Sequence, residues 1–268
     1  MIELNAGPAR VTVRPEAGGR LSSVCLAGLD LVVTEPEANG DALGWGVYPM
    51  APWAGRVRNR RFRHGERVHR LPPELGPHAL HGTVFRRPWD VTSASDRACR
   101  LVCDLGEIWP FPGRAVEEIE LDGSGLHLRL SVEASEEPMP VVLGWHPWFA
   151  RDLAAGGPVE IDFAAGARWE RDATGLPNGR KVAPGPRPVL GWDDCFTDVQ
   201  RPPTLTWPGA LQLTLTANVD HWVVYDAGPA GVCVEPQTNP PDGLNRGADL
   251  VEPGRPLTMT FHWSWQLG

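Results

Sequence analysis

Thirty glycines and 28 prolines are spread through the 268 residues, and no other feature restricts the fold as strongly. In a helix interior glycine costs about 1 kcal/mol relative to alanine, and proline about 3 kcal/mol. Few windows free of both are long enough for a helix, so the chain reads as many short strands joined by turns. The expected class is all-β. The length suits one large β-sandwich or barrel. No internal repeat or linker stands out, so residues 1–268 are expected to form a single domain.

Period-two patterning supports this. Val11 and Val13 alternate, and Leu21, Val24 and Leu26 precede a Gly-Leu-Asp turn and the run Leu31-Val32-Val33. Phe62 to Leu71 reads as a hairpin turning at His64-Gly65-Glu66. A second hairpin runs from Glu117 to Glu133. There Ile119 and Leu121 share a face, residues 122–125 turn, and Leu126, Leu128, Leu130 and Val132 share a face that excludes His127. Further strands are expected at 98–105, 159–163, 211–215, 221–225 and 257–265. Residues 36–47 and most of 164–190 read as loop. The segment 48–62 is turn-rich; Arg58, Arg60 and Arg61 read as a solvated face, whereas Arg56, close to Trp53, is expected to point inward.

The formal net charge of −8 argues against a nucleic-acid partner. No apolar run is long enough to span a membrane. Residues 1–20 carry charges and prolines in place of an apolar signal core, which reads as cytoplasmic. Cys25, Cys99, Cys103, Cys195 and Cys233 are odd in number and lack Cys-x-x-Cys spacing, so neither a disulfide framework nor a zinc site is expected. Twelve tryptophans against two tyrosines is the compositional oddity. Trp53, Trp148 and Trp192 stand beside polar residues and glycine or proline, where an indole suits the C–H face of a sugar or simply fills the core.

Two stretches carry chemistry. In Gly144-Trp145-His146-Pro147-Trp148-Phe149 an apolar lead-in, Val141 to Leu143, places His146 where a strand is expected to end, between two shielding indoles. Such a histidine is a satisfied core residue or a positioned acid/base. In Gly231-Val232-Cys233-Val234-Glu235-Pro236-Gln237-Thr238, Glu235 stands at an expected strand end, either reaching water or half-buried; half-burial would raise its pKa, as a base near neutrality requires. Asp193 and Asp194 lie in an expected turn, either as a turn-forming pair or as one ligand-binding carboxylate. His81 precedes a glycine in a loop, and His78 reads as an ordinary surface histidine.

Taken together, Pro52-Trp53-Ala54-Gly55-Arg56-Val57, Leu80-His81-Gly82, Trp145 to Phe149, Gly191 to Phe196 and Val232 to Thr238 resemble the aldose 1-epimerase (galactose mutarotase) family in order and spacing. The resemblance departs at Gly55, where the family often has asparagine, and at Thr83, where many members continue with glycine. It implies a large antiparallel β-sandwich with a cleft at strand ends and loops. It implies Glu235 as general base, His146 as general acid, and His81 as a second histidine at the sugar ring oxygen. Arg56 and Asp193 would hold hydroxyls, with Trp148 lining the sugar. The substrate would be a small-molecule sugar and no cofactor or metal would take part; the oligomeric state is left open. Three alternatives remain at this point. They are a hexose-6-phosphate mutarotase using Arg86 and Arg87, a non-catalytic sugar-binding domain, and a metal enzyme with His81, His146 and Glu235 as ligands.

Overall fold

The computed structural model describes residues 1–73, 76–189, 191–229 and 231–268. Among them every helical element is a three-residue 3-10 turn and the rest of the regular structure is strand. No helix is long and apolar enough to cross a membrane.

Among the described residues the named strands pair antiparallel throughout, in one 17-stranded sheet and three two-stranded ones. The large sheet divides into two parts, a first and a second sheet, that share one strand. In the first sheet Val47–Met50 pairs with Gly144–Ala150, which pairs with Gly231–Gln237. That strand pairs with His221–Tyr225, which pairs with the first residues of Asp193–Trp207. The far end of this 15-residue strand pairs instead with Leu211–Ala217, which continues into Leu257–Leu267, Leu126–Ala134 and Gly113–Leu121. A strand this long serves both sheets, so they wrap over one core. The five strands from Val47–Met50 to Asp193–Trp207 are, in the order given, the tyrosine, histidine, glutamate, bridging and aspartate strands.

Strand alternation builds that core. Trp145 and Phe149 of the histidine strand and Trp222 of the bridging strand point to the inner face. There they meet Phe261 and Trp263 of the second sheet, with ring centroids 4.8–6.0 Å apart. The hairpin expected from Glu117 to Glu133 forms in the expected register, with Ile119 opposite Leu128 and Leu121 opposite Leu126. The smaller hairpin, Arg61–His64 with Arg67–Arg70, also forms. All five cysteines are free and buried.

Four expectations are corrected. The strand expected at 159–163 forms but runs on to Arg171, a 12-residue strand Glu160–Arg171 against the aspartate strand where loop was expected after Phe163. Its Ala-Ala-Gly-Ala stretch lacks an apolar alternation, and only the long-range partner fixes it. Arg58 is no solvated strand residue: it sits in a 3-10 turn and pairs with Asp172 at 2.8 Å and with buried Asp242 at 3.5 Å. His78 is buried, and its Nδ1 accepts the Asn59 backbone N–H. Asp193 and Asp194 open the aspartate strand and pair with Tyr225 and Val224 instead of forming a turn.

Candidate active site

The histidine and glutamate strands are paired at Gly144–Gln237 and again at Trp148–Cys233, with no partners between. Pro147 and Pro236, which have no N–H to give a ladder, both fall in this gap. Counting inward from either end puts His146 opposite Glu235. His146 faces Tyr48 on its other side, Glu235 faces Val223, and Val223 faces Cys195. The row Tyr48, His146, Glu235, Val223, Cys195 therefore crosses five strands and floors a cavity of about 270 Å³. Because side chains alternate, the intervening residues Trp145, Val234 and Trp222 fill the core beneath. Both focal residues thus lie inside strands, not at strand ends as expected, since a proline follows each without ending the strand.

His146 Nε2 lies 3.3 Å from Glu235 Oε1. The imidazole is sandwiched between the Tyr48 ring at 4.8 Å and the Trp148 ring at 5.5 Å, and the His81 ring meets it edge-on at 4.9 Å. Only one of the two expected indoles shields it. Trp145 points to the opposite face and donates its Nε1–H to Glu117 Oε1 at 3.1 Å. Trp148 is held by Nε1–H donation to the Leu43 carbonyl at 2.6 Å.

Burial governs the charges. Glu235 is 3% exposed, and desolvation, followed by the nearby Asp193 carboxylate, pushes its pKa up to about 8. Desolvation, then the charge of Arg20, pushes His146 down to about 3. The imidazole is therefore uncharged at rest. His81 is also held well below its ordinary value by burial and by His146.

The other expected residues converge on the same cavity. Arg56–Val57 pairs with Ala79–Leu80, which sets Arg56 beside His81. His81 has a left-handed φ of +58° and is followed by Gly82 at φ +84°. A Cβ on Gly82 would lie 1.9 Å from the Ala51 carbonyl oxygen, so glycine is required where this loop crosses the end of the tyrosine strand. Arg56 is 3.9 Å from Asp193 Oδ2, and Arg171 holds the same oxygen at 2.9 Å while its Nε reaches Asp194 at 3.2 Å. His81, Arg56, Asp193 and Trp148 all line the cavity with His146 and Glu235.

Of the three tryptophans singled out in the sequence, only Trp148 does so. Trp53 packs on Trp109, and Trp192 packs on Phe163 and Phe196. Arg86 lies exposed over the Phe85 ring and Arg87 packs against Gly106; neither lines the cavity. The sequence reading missed Tyr48, Trp169, Arg171, Tyr225 and Gln237 as lining residues. Gln237 stood in the Glu-Pro-Gln-Thr stretch two residues after Glu235, which on a strand means the same face. Its Nε2 donates to Glu235 Oε2 at 3.1 Å.

Four buried polar atoms of the lining, His81 Nδ1, His146 Nδ1, Trp169 Nε1 and Gln237 Oε1, have no protein hydrogen-bond partner. Such atoms are rare in folded proteins and call for a polar ligand or water. A further grouping lies at the floor. Ligand atoms of His146, Cys233 and Glu235 fall within 4.8 Å of one another, so among the described residues Cys233, and not the expected His81, completes the potential metal-binding set.

The model of the family described as aldose 1-epimerase matches residues 1–263. The uncharacterized protein YphB of Escherichia coli K12 is 32% identical over 259 residues, covering 85% of this chain and 87% of that protein. A crystal structure of a putative aldose 1-epimerase from Escherichia coli K12 superposes with a TM-score of 0.86 at 21% identity, covering 100% of this chain and 99% of the other. Galactose 1-epimerase from Lactobacillus acidophilus superposes with a TM-score of 0.81 at 19% identity, over 97% of this chain and 92% of that one. The antiparallel β architecture expected from sequence is the fold these structures share.

Proposed function

The chain belongs to the aldose 1-epimerase family, and from that premise we propose that it interconverts the α and β anomers of a free aldose. Glu235 acts as general base, His146 as general acid, and His81 as a second imidazole at the ring oxygen. The observation that carries the proposal is the 3.3 Å contact of a buried carboxyl and a buried imidazole on the floor of a sugar-sized cavity.

Anomerisation removes a proton from the anomeric hydroxyl while the ring oxygen gains one. The ring opens, the C1–C2 bond rotates, and closure reverses both transfers. A pair that holds one proton has the stoichiometry this requires. At rest burial keeps that proton on Glu235 and leaves His146 neutral. Shifting it to the imidazole gives the carboxylate that accepts from O1 and the imidazolium that donates to the ring oxygen. The net charge of the pair is the same in both forms, so no buried charge is created overall. Gln237 steadies the carboxylate, and the Tyr48 and Trp148 rings hold the imidazole plane.

Arg56 and Asp193 flank the floor as donor and acceptor for hydroxyls, and the Trp148 indole supplies an apolar surface for the C–H face of the sugar. Residues 1–268 act together as one domain, and no cofactor or metal enters the scheme. A free sugar is favoured over a phosphate ester because the two lining arginines, Arg56 and Arg171, already face Asp193. The test is magnetisation transfer between α and β anomers across several aldoses. Enzyme-dependent exchange for one or more supports the reading, and binding without exchange would make the protein a sugar-binding domain.

A further inference from the structure

We propose that His146, Cys233 and Glu235 form a site for a thiophilic divalent cation, zinc above others, and that its occupancy blocks the active site. The inhibitory part rests on the epimerase reading; the metal site itself does not.

The sheet fixes the ligand set. Cys233 and Glu235 are two apart on the glutamate strand and so point the same way, and His146 stands opposite Glu235 on the adjacent strand. All three are buried, and their ligand atoms lie within 4.8 Å of one another. Around a zinc ion with bonds of about 2.0–2.3 Å, tetrahedral ligands sit roughly 3.3–3.8 Å apart. The His146–Glu235 contact already meets that spacing at 3.3 Å. Side-chain rotation of about 1 Å brings in the thiol.

The donor types choose the ion. Imidazole, thiolate and carboxylate together match zinc, whereas magnesium and calcium take oxygen ligands. Nε2 is the His146 nitrogen that faces Glu235, so it would give its lone pair to the metal, with the ring proton on Nδ1. The cavity side leaves a fourth position for water. Binding displaces one proton from the Cys233 thiol and one from the Glu235 carboxyl. A dication with two anionic ligands and a neutral imidazole leaves the buried site uncharged, as it was before. Cys233 itself does not line the sugar cavity, so it takes no part in the epimerisation proposed above. The ion would occupy the lone pairs of His146 and Glu235 that move the proton.

Cobalt(II) and zinc titrations of the wild type and of Cys233→Ser provide the test, with Cys233→Ala as a second variant and circular dichroism as the fold control. In the wild type, cobalt should give a thiolate-to-metal charge-transfer band, zinc should abolish it by competition, and turnover should stop near one equivalent and return with EDTA. Cys233→Ser should match wild-type turnover in EDTA, lack the band, and need at least tenfold more zinc for the same inhibition. Absence of the band from the wild type would overturn the metal site whatever the turnover. Equal zinc inhibition of wild type and both Cys233 variants would overturn the role of the thiol.

Discussion

His146 Nε2 and Glu235 Oε1 lie 3.3 Å apart, in a stretch where two strands run side by side without a hydrogen-bonded ladder. Pro147 and Pro236 remove the N–H groups that would close it. The two side chains are therefore held by strands on both sides, which gives a site on the sheet more precision than one built on loops.

In the proposed mechanism the shared proton sets the pH dependence. Glu235 is raised to about 8, so the one-proton pair persists below that value and is lost above it; His146, lowered to about 3, takes a second proton only in strong acid. The expected profile of kcat/KM is level through neutrality and falls above pH 8. A rate that instead rises through pH 8 would mean that Glu235 works alone as a base, with no proton shared.

His146→Asn should lower kcat by roughly 10²–10⁴-fold with a smaller change in KM, because a proton donor acts mainly in the transition state. Steady-state kinetics on the favoured aldose separate the two constants. A loss confined to KM would make His146 a binding residue.

Glu117 offers a test of the core that is independent of catalysis. It is fully buried, accepts the Trp145 indole N–H on one oxygen, and has no partner on the other. Desolvation raises it from 4.5 to about 8. The neutral carboxyl belongs to the folded state, so its stabilisation is complete below pH 4.5 and is lost as pH rises toward 8, at about 1.4 kcal/mol per pH unit. Glu235 adds a slope of the same sign. Glu117→Gln keeps an acceptor for Trp145 without the titration. Its Tm should exceed that of the wild type at pH 8, with a shallower decline from mildly acidic pH. Identical pH dependence of the two would contradict this assignment.

Hexose 6-phosphates should be poor substrates. Arg86 and Arg87 do not line the cavity, and Arg56 and Arg171 are held by Asp193. Comparing kcat/KM for glucose and glucose 6-phosphate at two ionic strengths checks this. A preference for the ester that weakens with salt and in Arg86→Ala would reverse it.

Six lining residues of the candidate site, Arg56, His81, His146, Trp148, Asp193 and Glu235, were legible in the sequence, but their placement was not. Histidine and glutamate each followed by proline read as strand ends, since proline ordinarily ends a ladder, yet here Pro147 and Pro236 lie opposite one another's strand within a gap. Arg171 and Trp169 were hidden because the Ala164–Ala167 stretch carries no alternation, and only pairing with Asp193–Trp207 makes it a strand. Tyr48 was hidden among prolines that suggest turns. By contrast, the Glu117–Glu133 hairpin needed only local pattern and a four-residue turn, and formed as expected.

The most direct test of the account is anomer exchange by magnetisation transfer on a free aldose, comparing the wild type with Glu235→Gln of matching circular dichroism. The amide keeps the shape and the contact with Gln237 but cannot exchange a proton with His146. Enzyme-dependent exchange is expected in the wild type and a loss of roughly 10²–10⁴-fold in the variant, with sugar binding retained. Near-normal exchange by a folded Glu235→Gln protein would contradict it.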